Sequence, residues 1–453
     1  MRSRVMIAGT GSGCGKTTIT CALLAALSSM EKDVVSFKCG PDYIDPMFHK
    51  KAVGVESRNL DIFLMGEEGV KYCLAHHSTG KEIAVLEGVM GLYDGVSNGD
   101  FASSNHVSLL TNTPVILVVN AKGMSLSVCA AIKGFLEFKK NNIRGVILNN
   151  ISESAFSFYK EMIEDRLKIR VIGFLPMIPE AQIESRHLGL ITADEIIDIK
   201  EKIQILGENA QKNIDINALL DIAGLAEPFS CKSDFLPVSK NSNTVKLYIA
   251  RDEAFCFWYE DNHDLFKSLG AEIEFFSPIH DSKLPKDAAG LVLWGGYPEL
   301  YAKELEANIS MMNSLGSAID SGLPVYAECG GFVYLQQSLT DLQGKTYKMI
   351  GILDGNAKMT KKLQNFGYHE IIAPDDNLLC KAAGKINAHF FHHSASDNEG
   401  NCLTAVKQNG KSFPCVVADD NIFAGYQHLH FWGNPSFAEN FIKACIEYRK
   451  RVK

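Results

Sequence analysis

Apolar runs alternate with helical spacings along the first half of the chain. Arg4–Ala8 is a short apolar run that ends in glycines, and Lys16–Ser28 behind it has the spacing of a helix. Asp33–Lys38 and Ile83–Leu86 read as strands, the second running into Glu87 and Gly88. Pro114–Val119 (PVILVV) is apolar throughout, the pattern of a strand buried on both faces. A helix over Ser125–Phe138 and strands at Gly145–Leu148 and Arg170–Phe174 continue the alternation. Strands separated by helices predict a parallel sheet with right-handed crossovers.

Ser230–Asn243 (SCKSDFLPVSKNSN) breaks this texture. It is polar, with a proline and several serines, and reads as a linker. Alternation then restarts. Val245–Ala250, Gly290–Leu293 and Pro324–Ala327 read as strands, and Tyr259–Leu269 and Gly331–Ser338 as helices. The expectation is α/β throughout, with one domain over residues 1–235 and a second over 244–453.

Composition narrows the class. A chain of 453 residues has room for two to four domains, and 46% hydrophobic with 22% charged residues excludes a disordered or coiled-coil chain. A net charge of -8 argues against non-specific nucleic-acid binding. No apolar stretch approaches the ~20 residues of a membrane span, and the N-terminal run is too short for a signal peptide. A cytoplasmic protein without membrane contact is expected. Twelve cysteines are present with none at C-x-x-C spacing, so reduced, mostly buried thiols are expected.

Two clusters carry chemistry. Gly9–Thr18 (GTGSGCGKTT) follows a strand and opens a helix, the setting of a phosphate-binding loop. Gly11, Gly13 and Gly15 let the backbone fold around phosphate oxygens, and the helix start presents N–H groups of Lys16, Thr17 and Thr18. Lys16 would reach the β and γ phosphates, and the Thr17 hydroxyl would meet Mg²⁺. The strict pattern wants glycine where Thr10 stands, so this is a variant. Two acidic segments follow, Cys39–Met47 (CGPDYIDPM) and Glu87–Gly95 (EGVMGLYDG). A Mg²⁺–ATP site needs few protein carboxylates. Asp45 and Glu87 are the candidate metal ligands, and Asp42 and Asp94 candidates for orienting a substrate carboxylate or handling protons.

The second cluster lies beyond the linker. Val325–Phe332 (VYAECGGF) is a strand that ends in Cys329 and two glycines before a helix, so the thiol sits on a sharp, exposed turn. Backbone N–H groups of Gly295, Gly296 (in LWGGYPE) or Gly330 would serve as an oxyanion hole. A thiol nucleophile wants a histidine base, and Tyr426–Pro435 (YQHLHFWGNP) offers His428 and His430.

The ordered set of motifs, from GTGSGCGKTT through CGPDYIDP, EGVMGLYDG, WGGYPE and ECGG to HLHF, resembles the cobyrinate a,c-diamide synthase family (CbiA/CobB), and the likeness spans nearly the whole chain. It implies a P-loop, dethiobiotin-synthetase-like parallel sheet followed by a class I glutamine amidotransferase-like α/β domain. The implied reaction is ATP-dependent amidation of two corrinoid carboxylates with ammonia from glutamine. Cys329 carries the thioester, His428 is the base with His430 as runner-up, and the acid is activated as an acyl phosphate. Implied partners are a corrinoid, ATP with Mg²⁺, and glutamine; a homodimer is left open.

Two departures from family patterns are visible. His428 is followed by Leu429 and His430 and not by the usual x-Glu, so no carboxylate stands in the ordinary place to orient the imidazole. Ala388–Ser394 (AHFFHHS) stands where GHEFHYS is expected, and His389 and His392 receive no role. Arg186–Leu190 (RHLGL) also looks like a family segment without evident chemistry. Competing readings are amidation of another tetrapyrrole such as Ni-sirohydrochlorin, and a P-loop partitioning-type ATPase. The second leaves Cys329 and the late histidines unexplained.

Overall fold

The computed structural model describes residues 3–182, 198–238 and 244–452. The segment Arg186–Leu190 and part of the expected linker lie outside the described residues. The chain forms two compact units: one comprises Met1–Ile62 and Gly66–Ser233, the other Phe63–Met65 and Asp234–Lys453.

The first unit is built on seven strands: β1 (Arg4–Gly9), β2 (Val34–Cys39), β3 (Ser57–Leu60), β4 (Ile83–Glu87), β5 (Val115–Asn120), β6 (Ile143–Asn149) and β7 (Arg170–Leu175). They lie in the order β3-β2-β4-β1-β5-β6-β7, every pair parallel. β1, β2 and β4 are buried at every position, as their apolar runs require. Helix α1 (Lys16–Ser29) follows β1, and the short α2 (Ile44–Met47) follows β2. Glu87 pairs with Ile7 on one side and Lys38 on the other. The loops after β1, β2 and β4 therefore open at one carboxyl edge of the sheet, where open α/β sheets hold ligands. The four-residue β3 was not evident in the sequence.

The second unit has two sheets. Its parallel sheet comprises β8 (Val245–Ala250), β9 (Ala271–Phe276), β10 (Gly290–Leu293) and β11 (Val325–Glu328). Helix α3 (Gly330–Leu335) follows β11. The expected helix to Ser338 stops earlier, because Ser338 opens β12 (Ser338–Thr340). The other strands are β13 (Thr346–Lys348), β14 (Asn356–Ile372), β15 (Lys385–Ser396), β16 (Leu403–Lys407), β17 (Ser412–Cys415), β18 (Val417–Ala418), β19 (Ile422–Gly425) and β20 (Gln427–Leu429). The first sheet has the order β18-β19-β11-β10-β8-β9, with β18 antiparallel to β19 and the other neighbours parallel. The second runs β13-β12-β14-β15-β20, with β16 beside β14 and β17 beside β16. Its long β14–β15 pair was not anticipated. All twelve cysteines are free thiols and nine are buried. No described helix is long and apolar enough to cross a membrane.

Candidate active site

In the first unit the loop after β1 turns through Gly13 (φ 72°) and Gly15 (φ 100°) into α1. At Gly15 a Cβ would collide with the Asn149 amide, which donates to Cys14 O at 2.9 Å. Glycine is thus required there by both conformation and space. Lys16 is buried and donates from Nζ to Gly11 O at 3.0 Å. Burial lowers its pKa. Thr18 lies in the first turn of α1.

Thr17 Oγ1 lies 2.7 Å from Glu87 Oε1 and 3.3 Å from each carboxylate oxygen of Asp45. Lys38 donates from Nζ to Asp45 Oδ2, to Glu87 Oε1 at 2.9 Å and to Gly88 O at 3.3 Å. Burial pushes the Glu87 carboxyl up, but Lys38, His49 and Thr17 together draw it far below the ordinary carboxylate range. Asp45 goes the other way, raised by burial and by Asp42 and Glu87. Burial opposes the Lys38 ammonium, yet Asp45, Glu87 and Asp42 hold its pKa well above the usual value. The hydroxyl and the two carboxylates converge from α1, α2 and the end of β4. Hard oxygen donors of this kind suit Mg²⁺.

The other two acids are engaged locally. Asp42 Oδ1 accepts from Ile44 N at 2.8 Å at the start of α2, and its Oδ2 lies 3.9 Å from Lys38 Nζ. Asp94 Oδ2 accepts from Gly91 N at 2.8 Å, closing its own turn. That turn borders the phosphate loop, since Leu92 N donates to Gly9 O at 2.8 Å. Lys38 and His49 escaped the sequence reading: one is the penultimate residue of β2 and the other follows the proline-bearing α2, and neither spacing signals chemistry.

In the second unit β11 delivers Glu328 and then Cys329, whose φ of 48° and ψ of -103° mark a strained elbow. Cys329 N donates to Gly425 O at 2.8 Å, so that N–H is already engaged. A Cβ on Gly331 would strike Leu293 O, and one on Gly295 would sit 2.8 Å from His428 Cε1. The glycines allow the β10 turn to close around the elbow.

His428 is reached through the strand register. Glu328 pairs with Gly425 on β19, and three residues later the chain presents His428. The imidazole is hydrogen-bonded to the Cys329 side chain, and its Nδ1 lies 3.1 Å from Glu328 Oε1. Burial pushes its pKa down, but Cys329 and Glu328 outweigh this and lift it to about 10. Glu328 Oε2 accepts from Tyr326 Oη at 2.6 Å and Leu429 N at 3.3 Å. The orienting carboxylate missing after His428 is thus supplied by the residue before the nucleophile.

His430 lies elsewhere, with Nε2 3.6 Å from Asp261 Oδ2 and its ring 4.9 Å from that of Tyr259. His389 stands opposite His428 in the β15–β20 register, and burial together with His428 lowers its pKa to about 3. His392 stacks on Tyr426 at 3.8 Å. The Phe391 carbonyl between them lies 4.0 Å from Cys329 Sγ, so AHFFHHS borders the thiol.

Residues 5–190 match the CobQ/CobB/MinD/ParA nucleotide binding domain, and residues 246–436 the CobB/CobQ-like glutamine amidotransferase domain. A cobyrinate a,c-diamide synthase of Clostridium tetani is 42% identical over 98% of this chain and 99% of its own length. Another, from Caldanaerobacter subterraneus subsp. tengcongensis, is 38% identical with the same coverage. The MinD cell division protein of Aquifex aeolicus aligns with 51% of this chain and 99% of itself, at 17% identity and a TM-score of 0.29.

Proposed function

The chain belongs to the cobyrinate a,c-diamide synthase family, and from that premise we propose that it amidates the a- and c-side-chain carboxylates of cobyrinic acid in cobalamin biosynthesis, with ATP and glutamine. It is a carbon–nitrogen ligase with glutamine as amido donor. The observation that carries the reading is one chain holding both a phosphate loop and a Cys329–His428–Glu328 constellation.

In the second unit Cys329 Sγ attacks the glutamine carboxamide carbon. His428 gives its proton to the departing ammonia, Glu328 stabilises the imidazolium, and a thioester forms. Water then releases glutamate and restores the thiol. In the first unit a substrate carboxylate oxygen attacks the γ-phosphorus of ATP, and ADP leaves. Ammonia attacks the resulting acyl phosphate, inorganic phosphate leaves, and the amide remains. Lys16 binds the transferring phosphate, while Thr17, Asp45 and Glu87 would hold Mg²⁺. When bound, the metal supplies charge neutralisation at the β and γ phosphates. Gly11, Gly13, Gly15 and the N–H groups of Thr17 and Thr18 cradle phosphate oxygens. Asp42, with one oxygen held by the Ile44 amide of α2, and Asp94, with one held by the Gly91 amide, position the substrate or handle its protons. A cytoplasmic location belongs to the same proposal.

The test offers purified protein ATP, Mg²⁺ and glutamine with cobyrinic acid or Ni-sirohydrochlorin in parallel, read by mass. Two amide groups on cobyrinic acid support the reading. Product from Ni-sirohydrochlorin alone moves the substrate while leaving the chemistry, and ATP hydrolysis without glutaminase activity or any amide removes it.

A further inference from the structure

His49 lies outside every role assigned above. It is fully buried, in the π-helical stretch Phe48–Val53 that follows α2. Such wide turns are rare and concentrate at functional sites. From there Nε2 lies 3.0 Å from Glu87 Oε2, the carboxylate oxygen turned away from Thr17 and Lys38. On its other side Nδ1 lies 2.6 Å from Ser36 Oγ and 3.2 Å from Ser57 Oγ, and the two hydroxyls lie 3.0 Å apart. Because Glu87 only accepts as a carboxylate, the imidazole donates from Nε2, and Nδ1 accepts from a serine hydroxyl. The chain of contacts thus sets both the tautomer and the ring plane. Ser36 comes from β2 and Ser57 from β3, paired residues in the sheet.

We propose that His49 is a positioning residue for the metal. It holds Glu87 Oε2 so that Oε1 faces Thr17 and the phosphate loop, and Ser36 and Ser57 hold His49 in turn. The inference rests on reading Glu87 as a Mg²⁺ ligand. Without His49 the buried carboxylate loses the contact that holds Oε2 and is fixed only through Oε1, the oxygen offered to the metal, so metal binding must then include more of the cost of ordering it. Outer contacts of this kind are worth about 10–100-fold in metal affinity.

The test is Mn²⁺ binding to the protein with a non-hydrolysable ATP analogue, read by the free-Mn²⁺ electron paramagnetic resonance signal, beside the Mg²⁺ dependence of amidation. His49→Leu fills the space but cannot donate, and should weaken Mn²⁺ binding ~10–100-fold. His49→Gln carries an amide N–H near the place of Nε2 and should recover most of that loss. Ser36→Ala combined with Ser57→Ala frees the ring without emptying its place and should weaken binding several-fold, which covers the case of His49→Leu failing to fold. Equal losses in the Leu and Gln variants mean packing alone, and overturn the proposal. So does wild-type Mn²⁺ affinity in the folded His49→Leu protein while Glu87→Gln loses it. Should Glu87→Gln also bind Mn²⁺ normally, the ligand reading of Glu87 fails first.

Discussion

Replacing Glu328 by glutamine keeps the side chain's size and one acceptor oxygen but deletes its charge. Glu328 and His428 are both almost fully buried, so water offers neither partner a substitute. The rise of the His428 pKa from 6.5 to about 10 corresponds to about 5 kcal/mol in favour of the imidazolium, shared between Cys329 and Glu328 against the cost of burial. Removing one member of a buried ionic pair typically costs ~3–5 kcal/mol. The new amide can also donate to Nδ1 and reverse the tautomer that catalysis needs. We expect glutaminase kcat, measured as glutamate release, to fall ~10²–10⁴-fold. Amidation driven by ammonium salt should stay within about threefold of wild type. The pH dependence moves as well. With a folded pKa above the unfolded value, the His428 charge adds stability in full below about pH 6.5 and loses it as pH rises through about 10. In Glu328→Gln the loss should still begin near pH 6.5 but be smaller and end at lower pH, because the folded pKa is closer to the unfolded one. Glutaminase activity within threefold of wild type would refute the orienting role of Glu328.

Four further outcomes follow from the geometry. Cys329→Ala should abolish glutaminase and glutamine-dependent amidation but retain amidation with ammonium salt at a pH supplying free ammonia; retained glutamine use sinks the thioester. Lys16→Ala should lose product with either nitrogen source, and substantial ammonia-dependent product would unseat the phosphate-loop assignment. His430→Asn should leave glutaminase kcat within about threefold and lower unfolding stability by ~1–3 kcal/mol, because it disturbs a fully buried polar group; a large kcat loss makes it the base. Gly15→Ala places a side chain at φ 100° against Asn149, so ATP affinity by calorimetry should fall with ~1–3 kcal/mol of stability; unchanged affinity would show the loop adapts.

Local signals carried the sequence reading furthest. The phosphate loop and the Cys329 elbow are each written within ten residues, as glycines next to a strand and a helix, and the fully buried strands announce themselves by apolar runs. What escaped depends on pairing across long stretches. Glu328 and His428 are 100 residues apart and meet only through the β11–β19 register. Lys38 and Glu87 face one another because β2 and β4 are neighbours, which no spacing along the chain reveals. The β14–β15 pair is sparsely apolar on the exposed stretches of β14, so its strands lack the continuous run that marked the parallel sheets.

The nucleophile and its orienting acid, Glu328 and Cys329, are joined by a peptide bond. Only His428 arrives from a distant part of the chain. For anyone rearranging this unit by circular permutation or by splitting it into fragments, the catalytic parts reduce to two cassettes, residues 328–331 and 425–429, brought together by one strand pairing. New chain ends placed in exposed loops elsewhere leave both cassettes whole. Recovery of glutaminase activity from two separate pieces would then report whether β19 has found β11.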